Sequence, residues 1–344
     1  MYNIIVHDPG LQSTIQDFGR WGYQSKGYSV GGAMDQFALK TANILVGNDP
    51  GEACIEMTLK GVEVTFPCRT VIAVTGADMQ PILNGKPIEM WASYLVKPGD
   101  VLSLGIASVG LRTYLSVKGG FALKSFLGSK STSLQEKTGS NEGKTLQKGS
   151  SIPVSCSNIS DDYVPKKLKA DLIPAYYYEN CKEIRVIEGP FEDYFTQKGI
   201  QTFYESEYIV GNDINRVGYR LEGSPIEHKK EAGQMISLSM TTGSIQVPGG
   251  GLPIILCVER RTHGGYPVIA TVASVDMSKI AQCRAGDKIR FVKISIEEAH
   301  RLLQERESLL HNESAMKTVD LVEVLMRLPD MVEDYYIQLY DEFF

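Results

Sequence analysis

Short apolar runs separated by glycine-rich turns recur along most of the chain. Residues 62–66 and 289–294 alternate apolar and polar side chains with a period of two, which predicts half-buried strands. Asn84-Gly85 stands between two apolar runs and predicts a hairpin turn. Many short strands at regular spacing favour a mainly β fold with some helix, built from antiparallel sheets or barrels. The other strand candidates are 71–74, 101–104, 113–117, 184–187, 235–240 and 254–258.

One early helix is predicted between residues 34 and 45, where apolar side chains recur at helical spacing until Gly47. The segment before it, residues 31–35, is rich in glycine. Free N–H groups at a helix start attract carboxylate or phosphate. The segment is therefore either a flexible lead into the helix or an anion site.

The last fifty residues have a different character. Ser295 and Glu298 form a capping box, after which leucines recur at helical spacing. Two further amphipathic stripes follow at 321–326 and 332–344. Residues 297–344 contain twelve acidic and four basic residues, whereas the rest of the chain has a small positive balance. We expect an acidic helical tail that either packs on the body or docks a partner.

A diverged internal repeat is one interpretation of the pattern. Residues 83–89 match 221–227 as Leu-x-Gly-x-Pro-Ile-Glu, and a strand ending in paired glycines follows in both halves. The repeat predicts a β-rich lobe at 1–160 that includes the early helix, and a second lobe at 180–296. The helical tail, 297–344, completes the predicted domain organisation.

Composition and charge exclude several classes of protein. No apolar run reaches the ~18 residues of a membrane span, and the nearly neutral body lacks the basic stripe of a nucleic-acid binder. No cysteines or histidines have zinc-finger spacing, so no metal site is expected. A secretory signal is not expected either. We therefore expect a cytoplasmic protein whose six scattered cysteines are reduced thiols.

Three polar segments are candidates for a small-molecule site. Residues 259–267 follow an apolar run and combine two arginines, a hydroxyl group and paired glycines, which suit an anionic or amide-bearing ligand. Residues 16–23 and 212–220 place arginine beside aspartate, which can orient the guanidinium. Each segment also fits an ordinary exposed or salt-bridged loop.

Several motifs, in the same order, resemble one known family. The family is that of the 5-oxoprolinase C subunit, also called KipA or allophanate hydrolase subunit 2, and it is classed with the biotin-dependent carboxyltransferases. The resemblance extends over roughly residues 3–296 and leaves out the tail. The matching motifs are residues 9–20 (PGLQSTIQDFGR), 31–35 (GGAMD), 42–48 (ANILVGN), 75–78 (TGAD), 128–132 (GSKST), 216–221 (RVGYRL) and 264–267 (GGYP).

The resemblance implies two cyclophilin-like, β-barrel-type lobes and a place in a complex. The C subunit of the family works with a KipI-like B subunit and ATP, with Mg²⁺, to activate 5-oxo-L-proline, and an A subunit then completes its cleavage to L-glutamate. One alternative is a KipA-type regulatory protein that binds a KipI-like partner. Another is a carboxyltransferase that acts on urea or a related small amide. No Met-Lys-Met attachment motif is present, so no bound biotin is expected.

The matching motifs and polar segments also supply the expected site residues. We expect arginines to bind anionic groups, tyrosine and threonine hydroxyls to hydrogen-bond the amide, and paired glycines to let the backbone approach the ligand. Asp17 and Asp35 are expected to orient the arginines or to hold Mg²⁺. The predicted catalytic residues are Arg216, Arg260, Tyr219, Thr262 and Tyr266. The predicted substrate-binding residues are Gln16, Asp17, Arg20, Asp35, Lys130, Gly264 and Gly265.

Overall fold

The computed structural model describes most of the chain. The described residues are 2–156, 159, 163–175, 179–229, 235–311 and 315–318. The amphipathic stripes predicted at 321–326 and 332–344 lie outside them.

The first lobe is built from two antiparallel sheets. Their inner faces share one core cluster, to which Ile4 and Val64 contribute from one sheet and Ile55 and Leu115 from the other. The six-stranded sheet has the order β11-β1-β4-β9-β6-β7 and the seven-stranded sheet the order β2-β3-β10-β5-β8-β12-β22. The strands are β1 Tyr2–Asp8, β2 Gln12–Gln16, β3 Cys54–Thr58, β4 Glu63–Thr65, β5 Thr70–Asp78, β6 Ile82–Leu83, β7 Lys86–Pro87, β8 Ala92–Val96, β9 Val101–Ser103, β10 Val109–Val117, β11 Ser151–Val154, β12 Lys166–Leu168 and β22 Met316–Thr318.

The second lobe is a closed barrel with the strand order β13-β20-β17-β18-β15-β14-β21. Only the β13–β21 pair in it is parallel. A small two-stranded sheet, β16 with β19, lies beside the barrel. The strands are β13 Cys181–Glu188, β14 Tyr208–Ile214, β15 Gly218–Glu222, β16 Leu238–Ser239, β17 Ser244–Gln246, β18 Ile254–Leu256, β19 His263–Gly264, β20 Val268–Val272 and β21 Lys288–Lys293.

The prediction of a mainly β, barrel-type fold is confirmed. The hairpin predicted at Asn84-Gly85 joins β6 to β7, as expected. The strand predicted at 235–240 is much shorter, because only Leu238–Ser239 pair with another strand. The two copies of the apparent repeat differ locally, since residues 83–87 form the hairpin whereas 221–225 run from the end of β15 into a bend.

The early helix is α1, Gln36–Val46, and its ends lie within two residues of the predicted ones, 34 and 45. The Asp35 side chain accepts a hydrogen bond from the backbone N–H of Ala38 at its start. Gly47 closes it in the left-handed conformation, with φ of 77°, which glycine adopts without a steric penalty. The other helices are α2 Gln197–Glu205, α3 Met277–Gln282 and α4 Ile296–His311.

Helix α4 begins at the predicted capping box, because Ser295 Oγ accepts a hydrogen bond from the backbone N–H of Glu298. Leu310 of α4 lies in the same core cluster as Phe37 of α1. This part of the tail therefore packs on the body. None of the helices in the described part of the chain has the length and apolar character needed to cross a membrane.

Two cysteines form a disulfide, Cys68–Cys156, with their Cα atoms 6.4 Å apart. The prediction of six reduced thiols is wrong for this pair. Cys68 follows β4 and Cys156 follows β11, and both strands flank β1 in the six-stranded sheet. A separation of 88 residues gives no sign of this proximity.

Thiol labelling of the native chain is expected to modify one cysteine, Cys181. The other free thiols, Cys54, Cys257 and Cys283, are buried, and burial raises the pKa of Cys257 and Cys283 to about 12. The thiolate is the reactive form, so these side chains should not react at pH 8. Titration with a chromogenic disulfide reagent tests this, with four thiols expected after unfolding without reductant. Six thiols in the unfolded, unreduced chain contradict the disulfide.

Candidate functional site

The two lobes meet at a buried set of polar side chains, here called the interlobe cluster. Its first-lobe members lie at the start of α1 and on β3 and β10, and its second-lobe members lie around β15, β18 and α3. Charged side chains that are buried need hydrogen-bond or ion-pair partners within the protein. The members are Asp35, Glu56, Arg112, Tyr114, Arg216, Tyr219, Glu259 and Gln282, all of them buried.

Arg216, in the loop between β14 and β15, is the centre of this cluster. Its Nε donates to Glu259 Oε1 at 2.7 Å, its Nη1 donates to Glu56 Oε1, and its Nη2 donates to the Gly32 carbonyl oxygen at 2.6 Å. Burial alone lowers the pKa of Arg216, but the two carboxylates raise it above its usual value. All three nitrogens therefore have partners within the chain, and Arg216 joins the lobes.

The start of α1 is occupied by a carboxylate of the protein itself. The backbone N–H of Met34 donates to Glu56 Oε2 at 2.9 Å, and that of Asp35 donates to the Tyr114 hydroxyl at 2.8 Å. Tyr114 in turn donates to Glu56 Oε2 at 2.8 Å. The anion that the glycine-rich segment attracts is thus Glu56, which anchors the helix to β3.

Both carboxylate oxygens of Asp35 accept hydrogen bonds within the chain. One oxygen accepts the Ala38 N–H at 3.0 Å and the other accepts Gln282 Nε2 at 2.8 Å. Burial raises the pKa of this carboxyl group. Its contacts join the helix start to α3 of the second lobe, so they do not fit the expected role of holding Mg²⁺.

Tyr219 is also fully buried in the cluster. Arg112 Nη1 donates to its hydroxyl at 2.5 Å and to the Ala281 carbonyl oxygen at 2.6 Å. Burial raises the pKa of Tyr219 well above its usual value. In this arrangement the hydroxyl faces Arg112, so its predicted contact with substrate requires a change in this pairing.

Asp17 binds the loop that carries the Gly-Ser-Lys-Ser-Thr motif. Its Oδ1 accepts hydrogen bonds from the hydroxyls of Ser129 and Ser131, at 2.7 and 2.5 Å, and from the Gly19 N–H. Its Oδ2 accepts the Lys130 N–H at 2.6 Å. The carboxylate is satisfied by the protein, so like Asp35 it does not fit a Mg²⁺ ligand.

Gln16 and Lys130 support the same loop. Gln16 Nε2 donates to the Thr132 carbonyl oxygen at 2.9 Å. Lys130 Nζ makes an ion pair with Glu52 at 2.6 Å. Both of these predicted substrate-binding residues are therefore engaged within the first lobe.

Two buried arginines differ from Arg216 because neither has a carboxylate partner among the described residues. Arg20 Nη2 donates to the Ser131 carbonyl oxygen at 2.5 Å, while Nε and Nη1 have no hydrogen-bond partner. Arg260 donates to the Met240 carbonyl oxygen and to Thr242. Burial lowers the pKa of both guanidinium groups. Both guanidinium groups are therefore buried without a direct ion pair among the described residues.

The remaining predicted residues lie beside the barrel, on β19 and immediately before and after it. Gly264 pairs with Leu238 of β16, and a Cβ there would lie 2.4 Å from Gln246 Nε2. A side chain at this position would have to displace the Gln246 amide from the barrel wall. Thr262 and the half-exposed Tyr266 flank it, and Gly265 lies between them.

The structure thus divides the predicted residues among three places. The first, around the Asp17-bound loop, holds Gln16, Asp17, Arg20 and Lys130. The second, the interlobe cluster, holds Asp35, Arg216 and Tyr219. The third, the barrel edge, holds Arg260, Thr262, Gly264, Gly265 and Tyr266.

Sequence reasoning misses the partners that decide these roles. Glu56, Arg112 and Gln282 are not among the predicted residues, although a glutamate within the otherwise uncharged run Cys54–Thr58 is a visible signal. A charged side chain in a buried strand needs a partner. Nothing in the sequence identifies that partner as Arg216. Among the described residues, no group of three or more histidine, cysteine or acidic side chains is arranged to hold a metal ion.

Comparison with known proteins gives one family match and several similar proteins. Residues 26–293 match a family described as "Carboxyltransferase domain, subdomain A and B". The chain is 34% identical over 307 residues to the 5-oxoprolinase C subunit of Haemophilus influenzae, covering 89% of this chain and 96% of that protein. It is 33% identical over 312 residues to the 5-oxoprolinase C subunit of Escherichia coli, covering 89% and 98%.

A solved structure supports the fold. The crystal structure of the K. lactis urea amidolyase superposes with a TM-score of 0.85 at 29% identity and covers 92% of this chain. This chain corresponds to only 20% of that much longer one.

Proposed function

The chain belongs to the carboxyltransferase domain family, subdomain A and B, which includes the 5-oxoprolinase C subunit, and from this we propose that it is the C subunit of an ATP-dependent 5-oxoprolinase. In this role it works with a KipI-like B subunit to activate 5-oxo-L-proline, and an A subunit then completes cleavage to L-glutamate. The observation that carries the proposal is the near-complete coverage of two proteins that bear this name.

The chemistry explains why such a complex consumes ATP. The lactam amide is resonance-stabilised, and its carbon is a poor electrophile. Transfer of the γ-phosphoryl group to the amide oxygen gives ADP and an activated imidate. One water molecule then adds to the carbon and the C–N bond breaks, and a second releases phosphate from the resulting acyl phosphate. The phosphoryl oxygens carry negative charge during this transfer, so buried cations beside them stabilise its transition state.

The roles of this chain's residues follow from their partners. We assign Arg20 and Arg260 to the negative or carbonyl groups of the substrate, because no carboxylate neutralises them. We assign Thr262 and Tyr266 to hydrogen bonds with the amide from the barrel edge. Arg216 acts as a positioning residue that fixes the lobes. Since neither Asp17 nor Asp35 fits Mg²⁺, we leave ATP and its Mg²⁺ to the assembled complex, with no bound biotin.

Reconstitution of the complex tests this function. We expect glutamate from 5-oxo-L-proline and ATP only when this chain is combined with its cognate A and B subunits, and none from the chain alone. Coupled detection of glutamate and ADP measures both products. Omission of each subunit in turn is the control. Equal glutamate release without this chain contradicts the proposal.

A second function, carboxyl transfer to urea or a related amide, is favoured by the urea amidolyase of Lachancea kluyveri. That protein is 30% identical over 351 residues, although this chain spans 19% of it. Carboxyl transfer requires bicarbonate and is blocked by avidin, whereas lactam cleavage needs no bicarbonate and is unaffected by avidin. Binding of the B subunit without any turnover favours the KipA-type regulatory role instead.

A further inference from the structure

A cavity of about 260 Å³ lies beneath α4, where this helix meets both lobes. The first lobe contributes residues of α1 and of the segment from β12 onward, and the second lobe contributes residues of β13 and around the start of α3. Leu309 of α4 lines the cavity and is 45% exposed, so the cavity is open to solvent beside this helix. The residues assigned to the proposed function are not among those that line it.

Most of the cavity wall is apolar. The apolar side chains come from α1, from β12 and the segment after it, from the turn before α3, and from α4, so they enclose the cavity from more than one side. A hydrocarbon group placed here loses contact with water on several sides, which favours its binding. The apolar side chains that carry this argument are Phe37, Leu168, Leu172, Val275, Leu309 and Leu310.

The charged side chains of the wall leave a positive balance. Asp276 is fully buried and accepts hydrogen bonds from Arg185 Nε at 2.9 Å and Nη2 at 2.5 Å, and Lys279 Nζ lies 3.6 Å from it. Asp171, the other acidic residue of the wall, is exposed to solvent. Arg306 is the third basic residue, so three basic side chains face two acidic ones.

Arg306 is the basic residue of this wall that has no carboxylate partner among the described residues. Its Nη1 donates to the Val275 carbonyl oxygen at 2.7 Å, which orients the guanidinium, and its Nε has no hydrogen-bond partner. Glu307, its neighbour in the chain, pairs with Lys40 of α1 instead, at 2.5 Å. A guanidinium binds a carboxylate more strongly than a neutral acceptor, because the hydrogen bonds are charge-assisted. The free charge therefore favours a ligand with a carboxylate group.

The size of the cavity limits what can bind in it. At about 30 Å³ for each water-sized group, a volume of 260 Å³ gives room for about eight or nine such groups. An α-helix of a partner protein is about 10–12 Å across with its side chains and does not fit into this volume. The cavity therefore suits a small molecule with a short hydrocarbon part.

We propose that this cavity binds a small amphiphilic carboxylate, such as a short- or medium-chain fatty acid. The carboxylate lies against the Arg306 guanidinium, and the hydrocarbon chain packs on the apolar wall. The site is separate from the residues assigned to the lactam, so the inference goes beyond the proposed function and does not depend on it. Because the wall belongs to both lobes and to α4, a bound ligand stabilises the folded chain.

Isothermal titration of the full chain with hexanoate tests the site. Hexanamide is the neutral analogue of the same length, and acetate is a carboxylate without the longer hydrocarbon chain. A hydrogen bond to a charged group gives an expected preference of about 10- to 100-fold for hexanoate over hexanamide. Acetate should bind at least about 10-fold more weakly than hexanoate, because it lacks the methylene groups that are buried on binding. Saturating hexanoate should also raise the unfolding temperature of the chain.

Arg306→Gln should lower the affinity for hexanoate by about 10- to 100-fold and leave the affinity for hexanamide unchanged, because it removes the charge. Arg301→Gln is the matched control, since Arg301 is an exposed arginine of the same helix that pairs with Glu298 and Glu305 and does not line the cavity. It should bind hexanoate as the unmodified chain does. Leu309→Glu places a negative charge on the wall and should also weaken hexanoate. It replaces Arg306→Gln if the latter loses helix content, as judged by circular dichroism.

Three results would overturn the proposal. Equal affinities for hexanoate and hexanamide exclude recognition of the carboxylate by a cation. An unchanged affinity for hexanoate in both Arg306→Gln and Leu309→Glu places the bound molecule elsewhere on the chain. The absence of both binding heat and a rise in unfolding temperature at millimolar hexanoate excludes the site altogether. Glutamate release has no part in these measurements, so they succeed or fail separately from the proposed function.

Discussion

Replacing Arg216 with alanine is expected to lower the free energy of unfolding by about 3–5 kcal/mol, the usual cost of removing one partner from a buried ion pair. The substitution leaves the carboxylates of Glu56 and Glu259 buried without the cation that faces them both. Arg112 compensates only in part, because its Nε is 3.9 Å from Glu56 Oε1. Urea unfolding followed by fluorescence measures the change.

Arg220→Ala is the matched control for this experiment. Arg220 lies on β15, close to Arg216 in sequence, and pairs with Asp213, but both side chains are 61% exposed. An exposed pair contributes little, so the expected change is below about 1 kcal/mol. The loss of unfolding free energy for Arg216→Lys should lie between these two values, since lysine keeps the positive charge but lacks the planar guanidinium group. Equal unfolding free energies for Arg216→Ala and Arg220→Ala contradict a role in joining the lobes.

A firm junction between the lobes has a consequence for function. Arg20 lies on the first lobe and Arg260 on the second, and the proposed substrate groups must reach both. The interlobe cluster sets the relative position of the lobes through charged hydrogen bonds, which are directional. Sites assembled from two lobes need such positioning, because small displacements of a binding group reduce catalysis strongly.

The parts of the fold that the sequence predicts depend on local signals. Helix α1 has a capping aspartate, Asp35, and a terminating glycine, Gly47, and both act within one turn of the helix. The β6–β7 hairpin follows from Asn84-Gly85, whose turn conformation is intrinsic to these residues. Residues of this kind specify their structure with little help from distant parts of the chain.

The roles of the charged residues depend instead on contacts between distant segments. Arg20 and Arg216 look alike in the sequence, as arginines near an aspartate in polar loops. Glu56, which is 160 residues from Arg216 in the sequence, distinguishes their roles, because it pairs with Arg216 and not with Arg20. Whether an arginine is neutralised by the protein or left for a ligand is therefore decided only when the strands assemble.

Asp17→Ala is expected to lower the free energy of unfolding by about 2–4 kcal/mol, because buried donors that lose their acceptor are costly. The Ser129 and Ser131 hydroxyls and the Lys130 N–H all lose the carboxylate. Arg20, which we assign to the substrate, donates to the Ser131 carbonyl oxygen of the same loop, so the KM of the assembled complex for 5-oxo-L-proline should rise as well. Chemical unfolding and steady-state kinetics measure the two effects.

Asp49→Ala is the control for Asp17→Ala, since Asp49 makes a similar hydrogen bond, to the Gly51 N–H, in an exposed turn. Its effect should stay within about 0.5 kcal/mol. Asp17→Asn distinguishes a loop clamp from a metal ligand. An asparagine keeps one oxygen for the serine hydroxyls. If Asp17 holds the loop in place, Asp17→Asn should therefore keep part of the stability and affinity that Asp17→Ala loses. If Asp17 instead held Mg²⁺, stability should barely change in either variant, while activity should fall in both and depend on the Mg²⁺ concentration.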